Sequence, residues 1–226
     1  MDRLEESKIY SDHENFVDRI ITKKRFEITK IIDEFLKNKN CKDVLDIGTT
    51  ENNFHKSSNI IIKNIKRFKT YKSISDQKIQ SDFFKFKLKK SITDEFSEEE
   101  IQRFKSDFVI SNATIEHVGD LKNQIKMCKN IINLSKRYFA IITPNRFHPI
   151  EFHTRLPFFH WLPKKIHRQI IFFIGYKFLS LEKNLNLLSI KDLHFIMREI
   201  NHKNFEIKHI KLYFFKSNLI LLGKII

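Results

Sequence analysis

Two short apolar runs, each ending in small and polar residues, constrain the fold of this chain most strongly. Residues 43–47 read Asp-Val-Leu-Asp-Ile and lead into Gly-Thr-Thr, and residues 107–111 read Asp-Phe-Val-Ile-Ser and lead into Asn-Ala-Thr. Runs of this length and composition are typical of buried strands. In an open parallel sheet, the break after such a strand lies at the carboxyl edge, where ligands bind. The pattern therefore predicts a sheet with a ligand site at the ends of these two strands.

The remaining sequence alternates between strand and helix patterns. Apolar spacing and capping residues predict helices over 15–36, 57–68, from Ser97, over 120–134 and over 190–200. Strands are predicted over 43–47, 70–74, within 83–92 with an end at Ile92, and over 107–111, 138–143, 205–214 and 218–226. Alternation of the two predicts an α/β fold with a parallel sheet. Because no helix separates the last two strands, one strand of the seven is expected to be antiparallel.

The 226 residues are enough for one domain with a sizeable core. We therefore expect a single domain over 1–226. It begins with a helical segment over 1–40 and carries an insertion over 145–189, after the fifth strand, that serves as a lid over the substrate. No pattern in the sequence predicts an oligomeric state.

The chain is strongly basic, with 42 Lys and Arg residues against 27 Asp and Glu and a formal net charge of +15. This charge favours a polyanionic partner such as nucleic acid, an anionic membrane or a phosphorylated substrate. Heavy use of Lys, Asn, Ile and Phe is also typical of AT-rich codon bias. The lysines are dispersed among acids and no RNA-binding aromatic motif is present. Both observations disfavour nucleic acid as the partner.

The cysteine count and the lengths of the apolar runs indicate where in the cell the protein is located. Cys41 and Cys128 form no metal-ligand or disulfide spacing, so no metal is expected and a reduced, cytoplasmic location is predicted. The start of the chain lacks a signal-peptide pattern. The apolar block 170–179 is far shorter than the ~20 residues of a spanning helix. The segment 162–174 combines basic residues with an apolar stripe, which favours either peripheral contact with an anionic membrane or an ordinary lid helix.

A resemblance to a known family follows from the run Ser-Asn-Ala-Thr-Ile-Glu-His-Val at 111–118. It is similar to the motif after strand four in the type 11 methyltransferase-domain family, whose members are class I S-adenosylmethionine-dependent methyltransferases. The stretches 143–154 and 156–163 resemble a subgroup associated with saccharide biosynthesis, and the similarity covers roughly residues 40–225. The resemblance implies a Rossmann-like, doubly wound, seven-stranded sheet, S-adenosyl-L-methionine as the cofactor and methyl transfer as the activity.

The resemblance also implies a set of cofactor-binding residues at the strand ends. These are Asp46, Gly48, Thr49, Thr50, Asp76, Asp94, Asn112 and Ala113. Asp76 follows the second strand, where a carboxylate accepts two hydrogen bonds from a ribose; its alternative role is a helix N-cap. Asp94 stands where the family places an adenine acceptor, and its alternative is a turn residue. Only one glycine occupies the first loop, where the family usually has two or three.

Polar residues after strands four and five are the candidates for catalysis and for acceptor binding. Removal of a proton from an acceptor hydroxyl requires a positioned base, and the candidates are His117, Glu151 and His153. The candidates for acceptor binding are Glu116, His148, Arg155, His160 and Trp161. The alternative is a polar loop that only caps the core.

The predicted function is methyl transfer to a hydroxyl of a saccharide or a related small or lipid-linked acceptor. Asn112-Ala-Thr-Ile115 replaces the Asn-Pro-Pro-Tyr tetrad that would indicate methylation of base amino groups. Two alternatives stay open. One is a basic nucleic-acid-binding module or RNA methyltransferase on the same scaffold, and the other is a fold that binds the cofactor without turnover.

Overall fold

The computed structural model describes residues 16–51 and 59–225, in which helices cover both faces of a seven-stranded sheet. The strands are β1 (Asp43–Ile47), β2 (Thr70–Ser75), β3 (Phe86–Lys89), β4 (Ser106–Asn112), β5 (Ser135–Pro144), β6 (Phe205–Leu212) and β7 (Phe215–Lys224). The helices are α1 (Phe16–Leu36), α2 (Ile60–Asn64), α3 (Glu98–Phe104), α4 (Leu121–Leu134), α5 (Lys164–Phe173) and α6 (Ile190–Glu199).

The strand order is β3-β2-β1-β4-β5-β7-β6, and β7 alone runs against the other six. The predicted α/β class, the seven strands and the single antiparallel strand are therefore confirmed. The chain moves outward in one direction from β1 to β3 and then crosses to β4 on the other side of β1. In an open α/β sheet, ligands bind at such a reversal, outside the carboxyl ends of the two strands, which are β1 and β4 here. In the pairing of these strands, Ile47 lies opposite Ser111.

Alternate residues of the strands enter two separate apolar cores, which explains why these strands read as apolar runs. Leu45 and Ile47 pack with Met127 of α4 on one face, whereas Val44 packs with Ile28 and Ile32 of α1 on the other. A parallel sheet covered by helices on both faces requires apolar side chains on both sides of each strand.

Helix ends follow the predicted caps. Ser97 accepts a hydrogen bond from the backbone N–H of Glu100, whose side chain accepts one from the N–H of Ser97. Asp120 caps α4 through the N–H of Asn123. Each such cap satisfies backbone N–H groups that have no partner within the helix and stabilises it by about 1 kcal/mol.

Several bounds differ from the sequence-based predictions. The second helix spans only Ile60–Asn64, and residues 57 and 58 lie outside the described part of the chain, as do residues 1–15 of the predicted N-terminal helical segment. Strand β3 ends at Lys89 because a turn closed from Ser91 to Asp94 follows it. The last two strands meet at a tight turn, with Tyr213 at a φ of 54°.

Residues 145–189, the segment predicted as an insertion, lie between β5 and α6 and have a small core around Ile171, Leu179, Leu185 and Leu187. The two ends of this segment are joined where the N–H of Arg146 donates to the carbonyl of Leu188. It contains α5 and a short 3₁₀ helix at Phe159–Trp161, so it is more ordered than the predicted loop-rich segment. Among the described residues, no helix combines the length and the apolar character needed to cross a membrane.

Candidate functional site

The loop after β1 is packed directly against the loop after β4. Gly48 has a φ of 82°, and a Cβ atom added to it would lie 2.1 Å from Oγ1 of Thr114. Thr114 Oγ1 in turn donates to the carbonyl of Ile47, and the N–H of Gly48 donates to the carbonyl of Ile74. Only glycine satisfies both the backbone conformation and this close approach. The two sequence signatures therefore meet in one place.

Asp46 lies beneath this loop rather than on its surface. It is 6% exposed, and its Oδ2 accepts a hydrogen bond of 2.6 Å from Oγ1 of Thr49. Ser73 donates to the same hydroxyl oxygen, and Ser75 donates to the carbonyl of Thr49. Burial raises the pKa of Asp46 to about 6, against the opposing effect of the Thr49 hydrogen bond. Asp46 thus holds the loop in shape from inside the protein.

The other predicted cofactor residues on this side are more exposed. Thr50 is exposed, and its backbone exchanges hydrogen bonds with the side chain of Asn59. Asp76 is exposed and directly follows β2, the neighbour of β1. Asp94 is exposed, and its carboxylate accepts a hydrogen bond from the N–H of Ser91 across the turn. The turn role considered for Asp94 is therefore observed, and its contact with a cofactor stays a prediction.

The end of β4 directs the chain across the end of β1. Asn112 is the last residue of β4, and Ala113 adopts a left-handed φ of 53° with its N–H bonded to the carbonyl of Ile142. A left-handed conformation is uncommon for a residue with a Cβ atom and marks a position held by its surroundings. A short 3₁₀ helix over Ile115–His117 follows.

Glu116 is fully buried, with 0% of its surface exposed. Its Oε2 accepts a hydrogen bond of 2.9 Å from Oγ1 of Thr143. Its Oε1 is also buried and has no hydrogen-bond partner in the described part of the chain. A buried carboxyl oxygen without a partner is energetically costly, and such a position favours a ligand.

Next to it, two histidines and a second glutamate form a chain of contacts. His117 Nδ1 lies 2.6 Å from the carbonyl oxygen of Asn184, and its Nε2 lies 3.1 Å from Nε2 of His153. His153 Nδ1 lies 2.6 Å from Oε1 of Glu151. One ligand-type atom each from Glu116, His117 and His153 falls within 4.8 Å of the other two. The three predicted base candidates are thus brought together with Glu116.

Glu151 is held as a carboxylate. It is 2% exposed, and it accepts hydrogen bonds from the backbone N–H groups of His153 and Thr154. Burial favours a higher pKa, but the His153 ring and these two N–H groups outweigh it and lower the pKa of Glu151 to about 2. The carboxylate therefore orients the His153 ring.

The remaining acceptor-binding candidates belong to the insertion, where the N–H of Arg155 donates to the carbonyl of Glu151. The carbonyl oxygen of His148 accepts hydrogen bonds from His160 Nε2 and Trp161 Nε1, at 2.6 and 3.2 Å. Burial lowers the pKa of both His148 and His160. Trp161 is 41% exposed, and Arg155 is exposed at a φ of 59°. His148 and His160 thus shape the insertion and are not members of the His117–His153 chain.

Several residues at this site gave no signal in the sequence. Gln124 Nε2 donates to the carbonyls of Ile115 and Asn186, and Asn186 Nδ2 donates to the carbonyl of Gly119. These bonds, with those of Thr143 and Asn184, fasten the loop after β4 to the insertion. The partners of Asn184 and Asn186 stand about 60 to 70 residues earlier in the chain, so only folding brings them together.

Solved structures of methyltransferases share this arrangement of strands and helices. Magnesium protoporphyrin IX methyltransferase from Synechocystis, crystallised with bound S-adenosylmethionine, aligns with 96% of this chain and 87% of its own at a TM-score of 0.54 and 12% identity.

The chain has the class I methyltransferase fold.

Two further structures agree with it. The N-methyltransferase NodS from Bradyrhizobium japonicum, in complex with S-adenosylhomocysteine, has a TM-score of 0.53 at 8% identity, over 93% of this chain and 88% of that one. An O-methyltransferase family protein from Burkholderia thailandensis has a TM-score of 0.53 at 11% identity, over 90% of this chain and 57% of that one. No protein-family model and no curated protein matches the sequence.

Proposed function

We propose that this protein transfers the methyl group of S-adenosyl-L-methionine to a hydroxyl group of a small acceptor. The observation that carries the proposal is the position of the histidine pair. His117 lies three residues after Thr114, which touches the Gly48 loop, and it contacts His153 of the insertion. A methyl donor bound at the ends of β1 and β4 would therefore lie close to basic nitrogen atoms. Two of the similar structures were crystallised with S-adenosylmethionine or S-adenosylhomocysteine, which supports this choice of donor.

The residues at these strand ends fit this cofactor. Gly48 and Ala113 turn the backbone at the ends of β1 and β4, with φ angles of 82° and 53°, and the Ala113 side chain is small. Asp76 offers an exposed carboxylate one strand away, which suits a ribose diol. Asn112 supplies an amide at the end of β4. When bound, the cofactor supplies an electrophilic methyl group.

Methyl transfer requires one bond to form and one to break. The acceptor oxygen forms a bond to the methyl carbon while the carbon–sulfur bond breaks. The electron pair of the broken bond stays on sulfur and gives S-adenosylhomocysteine. The hydroxyl proton must leave as its oxygen attacks, and a positioned imidazole is the common acceptor for such a proton. We assign activation of the hydroxyl to the His117–His153 pair, with Glu151 orienting His153.

A saccharide acceptor is favoured by the resemblance to the saccharide-biosynthesis subgroup and by the surface of the insertion. Trp161 and Phe158 contact each other edge to face and are 41% and 54% exposed. Exposed aromatic rings present a flat apolar surface, which suits the face of a sugar ring. Arg155, also exposed, suits a phosphate on the acceptor.

A lipid-linked acceptor at the inner face of a membrane is favoured by α5 and the residues after it. Phe172, Phe173 and Ile174 are 45%, 84% and 50% exposed, and Lys165 and Lys177 are exposed on the same segment. Exposed aromatic side chains beside basic ones are typical of segments that lie on an anionic membrane surface. On this proposal the protein is cytoplasmic and touches the membrane peripherally.

The test combines binding with turnover. Calorimetry should detect S-adenosylhomocysteine binding, and labelled methyl transfer should be found with a member of a panel of sugar nucleotides and lipid-linked sugars. His117→Ala and His153→Ala should keep cofactor binding and lose turnover, whereas His194→Ala, an exposed residue of α6, should keep both. Absence of cofactor binding in the wild-type protein refutes the proposal. Binding without transfer to any acceptor favours a fold that binds the cofactor only.

A further inference from the structure

We propose that Glu116, His117 and His153 bind a divalent transition-metal cation at the carboxyl edge of the sheet. One ligand-type atom from each residue lies within 4.8 Å of the other two. Two imidazoles and one carboxylate form a donor set that suits Zn²⁺, Fe²⁺, Mn²⁺ or Co²⁺. The sequence predicted no metal because these residues do not follow a regular ligand spacing.

The hydrogen-bond partners of the two rings establish which nitrogen atoms carry protons. His117 Nδ1 faces the carbonyl oxygen of Asn184, and His153 Nδ1 faces the carboxylate of Glu151. Both partners can only accept, so both Nδ1 atoms donate. In neutral rings the two Nε2 atoms then each present a lone pair, and they face one another at 3.1 Å. Two lone pairs at that distance repel each other unless the nitrogen atoms share a proton or bind a metal cation.

Glu116 provides the second, independent observation. Its carboxyl group is fully buried, and among the described residues Oε1 has no hydrogen-bond donor. The other oxygen is fixed by Thr143 at 2.9 Å, which orients the carboxyl plane. A buried carboxylate needs a cationic partner to offset the loss of hydration. A metal cation beside the two Nε2 atoms satisfies this requirement and removes the repulsion between them.

The spacing fits a metal after a small adjustment. Metal–nitrogen bonds of about 2.0–2.1 Å in a tetrahedral site place two ligand atoms about 3.3 Å apart. The two Nε2 atoms, at 3.1 Å, already have this separation. The ligand atoms all lie within 4.8 Å of one another, so the widest pair must close by up to about 1.5 Å, which a side-chain rotation provides.

The hydrogen-bond partners of the two histidine rings are those expected around the histidine ligands of a metal site. Histidine ligands almost always donate their second ring nitrogen to a carboxylate or a backbone carbonyl, which fixes the ring and strengthens the ligand. Here the carboxylate of Glu151 accepts this hydrogen bond from His153, and the carbonyl of Asn184 accepts it from His117. Glu151 is in turn fixed by two backbone N–H groups. The support expected around the two ligands is therefore built into the fold.

This inference deepens the proposed function and rests on it only for the acceptor. Three protein ligands leave coordination positions open for the acceptor hydroxyl, whose pKa falls when its oxygen binds the cation. With the cation bound, His117 and His153 activate the hydroxyl as ligands of the cation and no longer as its base, because the cation occupies both Nε2 lone pairs, and the proton passes to solvent. The oxygen attacks the methyl carbon as described above, and the metal undergoes no redox change.

The test measures metal binding without reference to methyl transfer. The full-length protein is stripped with a chelator, and Co²⁺ is titrated while its visible absorption is recorded; Zn²⁺ and Mn²⁺ are measured by elemental analysis after dialysis. We expect one metal per chain in the wild-type protein and in His194→Ala, and at least a 100-fold loss of affinity in Glu116→Gln, His117→Ala and His153→Ala. Glu151→Gln, which changes only the hydrogen-bond partner of His153, should lose about 10- to 100-fold.

Two results would overturn the site. One is the absence of stoichiometric metal from the wild-type protein, and the other is unchanged Co²⁺ affinity in both histidine variants. If an alanine variant fails to fold, His117→Gln and His153→Gln are used, and X-ray absorption of the Co²⁺-loaded wild-type protein must show two imidazole ligands. Calorimetry of S-adenosylhomocysteine on the same metal-free protein separates the two proposals. Cofactor binding without metal binding refutes only the metal site, and metal binding without cofactor binding refutes only the methyltransferase proposal.

Discussion

Gly48 and Thr114 approach so closely that a Cβ atom on Gly48 would lie 2.1 Å from Thr114 Oγ1 and 2.9 Å from Thr114 Cβ. These residues belong to the loops after β1 and β4, which meet where the strand order reverses at the centre of the sheet. The contact explains why a single glycine is placed in the first loop. Its missing side chain makes room for the second loop, which leads to Glu116 and His117.

We expect Gly48→Ala to destabilise the protein and to weaken cofactor binding. The positive φ costs a residue with a side chain about 1–2 kcal/mol, and displacement of Thr114 adds about 1–3 kcal/mol. Gly175→Ala is the matched control, since Gly175 also has a positive φ but no atom lies within 4 Å of the added Cβ. Denaturant unfolding and calorimetry with S-adenosylhomocysteine measure the two effects. Equal losses of stability in both variants would show that the Thr114 contact is unimportant.

Asp46→Asn should change how stability depends on pH. Burial raises the pKa of Asp46 to about 6, above the unfolded value near 3.8, so the folded protein binds a proton more tightly than the unfolded chain. The free energy of unfolding therefore decreases as the pH rises from about 4 to about 6 and is flat above that window. The asparagine side chain has the shape of the protonated aspartic acid but does not ionise. The variant should match the wild type near pH 4 and exceed it by up to about 3 kcal/mol at pH 7. Parallel pH–stability curves would contradict this account.

Gly223→Ala should destabilise the sheet, because Gly223 of β7 lies opposite Phe139 of β5. An added Cβ would lie 2.0 Å from the ring of Phe139, which is fully buried. Overpacking of this kind costs about 1–3 kcal/mol. Phe139→Leu shortens the opposing side chain, so the double variant should lose less than the sum of the two single losses. Strict additivity in denaturant unfolding would exclude the clash as the cause.

Phe173→Asp should reduce binding to vesicles that contain anionic lipid. Phe173 is 84% exposed, and burial of a phenylalanine in an apolar environment contributes about 1.5–3 kcal/mol, or at least tenfold in affinity. Phe195→Asp, at an exposed position of α6 outside the insertion, is the control and should bind as the wild type does. Cosedimentation at low and high salt gives both the affinity and its electrostatic part. If the two variants sediment equally with the vesicles, α5 does not contribute to membrane binding.

Local features of the fold were predictable because they depend on neighbouring residues. Strand β1 occupies the predicted residues 43–47, and Ser97 and Asp120 cap helices as their side chains indicated. The alternation of elements was enough to predict seven strands with one antiparallel member. The end of β3 was predicted wrongly, since the turn at 91–94 stops the strand before Ile92.

The members of the candidate site were predictable as residues but not as an arrangement. His117, Glu151 and His153 were predicted as candidates for the base, and His148 and His160 as candidates for acceptor binding. Folding places the first three in one chain of contacts and assigns the last two to hydrogen bonds within the insertion. Nothing in the sequence indicated that Glu116 Oε1 has no partner among the described residues, or that the carbonyl of Asn184 supports His117.

The sequence by itself determined the order and type of the elements, the two strand ends at the carboxyl edge of the sheet and the residue types available there. These follow from apolar periodicity and capping, which act over a few residues. Only the tertiary structure decided that Gly48 makes room for Thr114 and that His117 meets His153, 36 residues later. Such contacts depend on how the sheet and the insertion close on each other, and that closure is a property of the packed chain rather than of any short segment.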